Sequence, residues 1–347
     1  MPSFKSIPTI NYSNSFDIKT KPQFLDEIRE ALFNVGFLYL TNTGIESLAQ
    51  EVHAALPDLF ALPDDEKNRC NMINSPSFLG YTKLGAETTA KRTDIREQFD
   101  FGTAYRSAYR SGDPEYKKLE GPSQYPNLKG FQPLIDKYIS ECSKLSRSFL
   151  QLVGESLGLP PETFLRFIGA MDRLKLIQYP PSPNEDQGVG PHKDSSGLFT
   201  FLVQDAVGGL QVLNKEGEWV DVTPLDGGVV VNIAQGFEAI VGGVCGATTH
   251  RVIAPKNKTR YSVPFFLGVR LDLTPEQLQS STTEIVSRIP VSDESKKRAV
   301  DVPSEFLSPL YSCFGEAHLR NRIVSHKDVG QKWYPELYQK YVIEDIC

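Results

Sequence analysis

The chain has 347 residues, enough for one large domain or two ordinary ones around a substantial core. Apolar residues make up 40% and charged residues 23%, as in ordinary globular proteins, and the formal charge of −6 argues against a nucleic-acid-binding surface. The opening Met1-Pro2-Ser3-Phe4-Lys5 lacks the apolar core of a secretory signal, and no run of about 18 apolar residues predicts a membrane span, so a cytoplasmic protein is expected.

The first stretch, residues 1–170, reads as mostly helical. Phe24, Ile28, Ala31, Leu32 and Val35 recur at helical spacing, and Gly36 stands where a left-handed C-terminal cap belongs. Phe37-Leu38-Tyr39-Leu40 reads as a short buried strand, and a second helix is expected over Ile45 to Phe60. The longest helix is predicted from Phe131 to Leu157, where Ile135, Tyr138, Ile139, Cys142, Leu145 and Phe149 form one apolar stripe.

Residues 171–270 change to strand texture. The runs Leu174–Tyr179, Leu198–Val203, Gly209–Leu213, Trp219–Val222, Val229–Ile233 and Tyr261–Val269 are rich in Val, Ile, Phe and Leu. Turn signals such as Asp226-Gly227-Gly228 and Gly242-Gly243 separate them. Many short, evenly spaced strands predict a sandwich or barrel, of which the jelly roll is the form that holds a metal in its open end. Residues 271–347 return to helix and loop, with Thr274-Pro275-Glu276-Gln277 as a helix start. The expected fold class is therefore mixed α and β, a jelly-roll core flanked by N-terminal and C-terminal helices. Cys70, Cys142, Cys245, Cys313 and Cys347 are odd in number and lack C-x-x-C spacing, which fits reduced thiols. The basic Lys296-Lys297-Arg298 is short and follows Asp293 and Glu294, so it reads as a solvated face.

The chemistry concentrates in the strand-rich middle. Of five histidines, His192 and His250 fall inside it, and Asp194 follows the first by two residues. Two imidazoles and one carboxylate on one face of a metal leave the opposite positions open, which suits Fe(II) working with O₂. Ten residues past His250, Arg260 offers a guanidinium fork for a carboxylate, and Ser262 returns to the same strand face while Tyr261 turns away. A 2-oxo acid chelating the metal needs such an anchor for its distal carboxylate. Tyr179, before Pro180-Pro181, offers a phenol to the same anion or a packed core ring. A zinc hydrolase would share the ligand set, but no H-E-x-x-H supplies a general base. A jelly-roll binding protein without turnover is the remote alternative.

In sequence order, these motifs resemble the non-haem Fe(II)/2-oxoglutarate oxygenases of the isopenicillin N synthase-like group, over nearly the whole chain. The resemblance extends to Asn34-Val35-Gly36-Phe37, Phe60-Ala61-Leu62-Pro63, Gly80-Tyr81 and Arg96-Glu97-Gln98-Phe99. Thr249-His250-Arg251-Val252, Arg260-Tyr261-Ser262-Val263-Pro264 and Ser325-His326-Lys327-Asp328 resemble the microbial, especially fungal, branch. It implies His192, Asp194 and His250 as iron ligands, Arg260 and Ser262 as the 2-oxoglutarate clamp, and Tyr179 as a residue touching co-substrate or substrate. Plant members often carry Asn two residues before that tyrosine, where this chain has Ile177. The implied cofactors are Fe(II), 2-oxoglutarate and O₂. The implied reaction is hydroxylation of an unactivated C–H bond in a secondary-metabolite or amino-acid-derived pathway, with desaturation or ring formation, with or without 2-oxoglutarate, as the alternative. The expected partner is a small molecule, with no nucleic acid and no membrane, for a monomer or weak homodimer. Residues Lys83 to Phe101 and the C-terminal helices are expected to shape the pocket rim.

Overall fold

A computed structural model describes residues 3–89, 92–103, 109–184, 186–195, 197–289 and 310–343; the basic cluster at 296–298 and Cys347 lie outside them. The chain runs β1 (Thr9–Asn11), α1 (Lys21–Asn34), β2 (Phe37–Thr41), α2 (Glu46–Phe60), α3 (Asp64–Arg69) and β3 (Gly80–Thr82). The ribbon β4 (Thr88–Thr89) and β5 (Arg92–Thr93), β6 (Glu97–Gly102) and α4 (Phe131–Ser156) follow. The middle holds β7 (Arg173–Tyr179), β8 (Gln187–His192), β9 (Gly197–Gln204), β10 (Leu210–Leu213), β11 (Trp219–Asp221) and β12 (Val229–Ile233). After α5 (Gln235–Ile240) come β13 (His250–Ile253) and β14 (Arg260–Gly268). The C-terminal part is helical: α6 (Pro275–Arg288), α7 (Phe314–Ser325), α8 (Lys327–Trp333) and α9 (Pro335–Tyr338).

Among the described residues, eight strands form a large sheet in the order β1-β2-β12-β9-β14-β7-β6-β3, and β11-β10-β13-β8 form a smaller one. The inner faces meet over Phe37, Ile177, Tyr179, Val189, Val212 and Val252. This two-sheet sandwich is the jelly-roll core. Helices cover the outer face of the large sheet. There the stripe of α4 inserts Phe149 edge-on against Phe199 and Phe201, with ring centroids 5.5 and 5.7 Å apart.

Local signals and observed elements agree wherever apolar periodicity is strong. Gly36 takes φ 75°, and its N–H and that of Val35 both return to the Ala31 carbonyl, ending α1 as a left-handed cap should. Thr274 accepts from the Gln277 N–H while the Gln277 side chain accepts from the Thr274 N–H, a reciprocal capping box that starts α6.

The large sheet also draws on strands before residue 170, and β6 is the least legible of them. Its sequence Glu-Gln-Phe-Asp-Phe-Gly is wholly buried despite three polar side chains. Each finds partners only in the folded chain. Glu97 accepts from Tyr81 Oη at 2.6 Å and from Gln178 Nε2 at 2.8 Å, and Lys67 Nζ lies 3.4 Å away. Asp100 accepts from Gln98 at 2.8 Å and pairs with Lys175 at 3.3 Å. Cys70, Cys142, Cys245 and Cys313 are buried free thiols.

Phe149 is fully buried. Phe149→Ala should destabilise the protein by about 3–5 kcal/mol, read as a lowered urea midpoint at unchanged slope. A loss below about 1 kcal/mol would contradict the packing of α4 on the sheet.

Candidate metal and co-substrate site

The small sheet supplies both imidazoles. β8 ends on His192 and β13 begins on His250, and antiparallel pairing sets the two residues directly opposite each other. Their ring centroids lie 4.3 Å apart. His192 Nδ1 donates to the Gly190 carbonyl at 2.8 Å and His250 Nδ1 to the Thr248 carbonyl at 3.1 Å. A carbonyl can only accept, so both rings carry a proton on Nδ1 and are free to present a lone pair at Nε2.

Asp194 sits two residues beyond β8, and its backbone carbonyl accepts from the Gln235 N–H at the start of α5. Its Oδ1 stands 3.6 Å from Nε2 of His192 and 3.6 Å from Nε2 of His250. Its Oδ2 is held from the large sheet. Thr200 Oγ1 donates to it at 2.6 Å and Asn232 Nδ2 at 2.8 Å. Thr200 and Asn232 face each other across β9 and β12, so one cross-strand pair orients the carboxylate. Burial would raise the Asp194 pKa, but the facing His250 and His192 outweigh it and hold the carboxyl well below its ordinary value. Burial likewise disfavours charge on His250, and Asp194 more than offsets it, raising that imidazole. The three ligand-type atoms lie within 4.8 Å of one another, a donor set that fits one divalent transition metal and leaves its other face open. Lys193, between the first two, turns its ammonium toward Glu238 on α5 at 3.5 Å.

The co-substrate side lies on the large sheet. Arg260 has no exposed surface, yet among the described residues its only side-chain hydrogen bond is from Nη2 to Gln204 Oε1 at 3.2 Å. Its Nε and Nη1 are buried without partners, and among the described residues no carboxylate lies within the 4.0 Å of an ion pair. The neighbouring acid, Asp205, is engaged by the Tyr261 N–H. Leaving a guanidinium dry and unpaired costs several kcal/mol, so its free donors fit an anion that enters from the cavity. Ser262 lines the same cavity, while Tyr261 stacks on Phe60 with centroids 6.1 Å apart. Tyr179 spreads its ring 4.8 Å from the Arg260 guanidinium. Gly188 makes room for that ring, since a Cβ there would come within 3.1 Å of Tyr179 Cδ1.

All six sequence-derived residues line one cavity of about 1310 Å³. Lys83 and Arg96 line it from the expected rim segment, and α7 adds a far wall including His318 and Arg322. The sequence did not point to Thr200, Asn232 or Gln204. Thr200 and Asn232 had a signal: each is a polar interruption of a mostly apolar strand. Gln204 had none, because its role comes from Arg260, distant in sequence.

Comparisons with known proteins agree with this geometry. Residues 7–128 match the family described as the non-haem dioxygenase in morphine synthesis N-terminal domain, and residues 166–269 match the 2OG-Fe(II) oxygenase superfamily. A 2-oxoglutarate-dependent dioxygenase of Dothideomycetidae sp. (strain 11243) is 42% identical over 96% of this chain and 94% of its own length. A homoarginine-6-hydroxylase of Arabidopsis thaliana is 32% identical over 79% of this chain and 88% of its own. In fold, a putative 2OG-Fe(II) oxygenase family protein from Caulobacter crescentus superposes with a TM-score of 0.72 at 22% identity, covering 92% of this chain and all of that one. Among the described residues, no helix is long and apolar enough to cross a membrane.

Two outcomes test the site. Thr200→Val or Asn232→Leu should weaken Fe(II) or Co(II) binding by about 10–100-fold in calorimetric titration, with the fold intact; unchanged affinity would remove their orienting role. Arg260→Ala should weaken 2-oxoglutarate binding by roughly 30-fold or more, and Arg260→Lys should recover only part, since an ammonium lacks the fork. Equal 2-oxoglutarate affinity in wild type and Arg260→Ala would sink the clamp assignment.

Proposed function

Since the chain belongs to the 2-oxoglutarate- and Fe(II)-dependent oxygenase superfamily, whose members use Fe(II), 2-oxoglutarate and O₂, we propose that it hydroxylates an unactivated C–H bond of a small molecule. The observation that carries this reading is the pairing of a complete His-Asp-His donor set with an uncompensated buried arginine in one cavity. Bound Fe(II) supplies oxidising power from O₂ and the 2-oxo acid, and the chain's own residues govern where that power goes.

His192 Nε2, His250 Nε2 and Asp194 Oδ1 would hold the metal. Arg260 and Ser262 anchor the distal carboxylate of 2-oxoglutarate, and the Tyr179 ring supports the guanidinium from its face. Thr200 and Asn232 keep Asp194 Oδ2 occupied, which directs Oδ1 at the metal. Around the donor set, Phe37, Val189, Leu202 and Val252 give the cavity an apolar lining. The hydroxylase activity of one relative supports hydroxylation over desaturation or ring closure.

The test is turnover under ¹⁸O₂ with Fe(II), 2-oxoglutarate and a small-molecule library. The expected result is substrate-stimulated succinate formation, with one labelled oxygen in succinate and one in the product. His192→Ala, Asp194→Ala and His250→Ala should each abolish it in folded protein. Product that loses two hydrogens and carries no label would overturn hydroxylation, and wild-type rates in His250→Ala would overturn the ligand set.

A further inference from the structure

The cavity is far more basic than the protein around it. Eight Lys and Arg residues line it against two acids, Asp194 and Asp328, in a chain whose formal charge is −6. Several of these cations are accounted for. Arg260 faces the co-substrate. Arg96 pairs with Glu87 at 2.7 Å and Asp94 at 3.4 Å, and Lys175 with Asp100 at 3.3 Å and Glu87 at 3.8 Å. Lys193 meets Glu238, Arg320 donates to Asn321 Oδ1 at 3.3 Å, and Lys83 and Lys327 are exposed on the rim, where water screens them.

Arg322 is different. It lies on α7, whose apolar residues Leu319 and Ile323 pack into a separate cluster with Met72, Phe78 and Val329. His318, Asn321, Arg322 and Ser325 occupy positions i, i+3, i+4 and i+7 of that helix, and all four line the cavity. This is one polar helix face turned to the pocket. Backbone hydrogen bonds from the Phe314 and Gly315 N–H groups to Leu273 and Leu271 pin the start of the helix. Arg322 is half-buried and, among the described residues, has no carboxylate within ion-pair distance.

Two of its neighbours add positive charge or an unsatisfied donor. Arg173, wholly enclosed, donates to the carbonyls of Phe78, Ser77 and Leu119 and, among the described residues, meets no carboxylate within ion-pair distance. Burial first, and then Arg322, push Arg173 down to about 9. His318 is buried, and its Nδ1 has no partner. Burial, Arg322 and Arg173 together hold its imidazole well below the ordinary value, so the ring is neutral and can donate one N–H. A wall with an unpaired guanidinium, an unsatisfied imidazole and an amide has the donors to recognise anionic oxygens.

Resting on the oxygenase reading, we propose that the main substrate is an organic anion whose carboxylate or phosphate oxygens bind Arg322, with His318 and Asn321 beside it on α7. The rest of the molecule then crosses the cavity toward His192 and His250, so the anion anchor sets which carbon faces the metal. Carboxylate and phosphate present the same acceptors to a guanidinium fork, and a neutral isostere presents neither charge nor fork geometry.

The experiment uses full-length protein, loaded anaerobically with Fe(II) and saturating 2-oxoglutarate. Calorimetric titration compares n-alkanoates, alkyl phosphates and alkanamides of graded chain length, which sample different spans of the cavity. At the best length, an anion should bind at least about ten-fold more tightly than its amide. Arg322→Gln should shrink that advantage to within about two-fold, and Arg322→Lys should retain part of it. Thermal melts of both variants check the fold, and the lysine variant keeps the test valid if the glutamine variant melts early. Preference for alkanoates assigns a carboxylate substrate, and preference for alkyl phosphates a phosphate ester. Amides binding as well as anions at every length, or no probe binding, overturns the proposal while 2-oxoglutarate still binds. So does an anion advantage that persists in both Arg322 variants. Failure of 2-oxoglutarate itself to bind overturns the oxygenase reading, and the proposal with it.

Discussion

Asp194 ties the two sheets together at the point where chemistry is possible. Its Oδ1 faces imidazoles from the small sheet, and its Oδ2 is held by Thr200 and Asn232 of the large one. A buried carboxylate without compensation would cost several kcal/mol, so its position is tolerable only with both sheets in register. The opposed pairs His192–His250 and Thr200–Asn232 are both set by strand pairing. The geometry of the donor set is thus a property of the sandwich, and a slip of one residue in either sheet would turn a partner to the wrong face.

Arg260 obeys the opposite logic. Where Oδ2 of Asp194 has two donors, two nitrogens of Arg260 have no partner among the described residues. The fold retains this cost because strand alternation puts Arg260 and Ser262 on the cavity side while Tyr261 anchors the strand in the helical layer against Phe60. The Tyr179 ring covers one face of the guanidinium and leaves the edge donors available. Satisfied anion and unsatisfied cation, on facing sheets, give the cavity an electrostatic direction before any ligand enters.

The outer segments complete the cavity by a different kind of packing. β6 carries buried acids whose partners come from α3, β3 and β7, and its neighbour Glu87 reaches His326 at 2.9 Å next to α8. That contact joins N-terminal and C-terminal segments across the pocket mouth. The central strands supply the donor set and Arg260, whereas α7 and the segment around Glu87 supply the charged wall.

Most of the central strands, the long α4 and the ends of α1 and α6 were legible because each rests on local physics: apolar periodicity, a left-handed glycine, a capping box. The candidate ligands were legible too, since His192, Asp194, His250, Arg260 and Ser262 combine rare residue types in a meaningful order. Burial of Glu97, Gln98 and Asp100 in β6 was not legible, because polar residues in a strand look exposed until Lys67, Tyr81 and Lys175 arrive from elsewhere. The same holds for Arg322. In the sequence it is one more surface-like arginine beside Asn321, and only the docking of α7 over the cavity leaves its charge without a partner. Residue order determined which groups could bind metal and anion. Tertiary structure decided which charges are neutralised and which remain open, because compensation depends on side chains brought together from far apart in the chain.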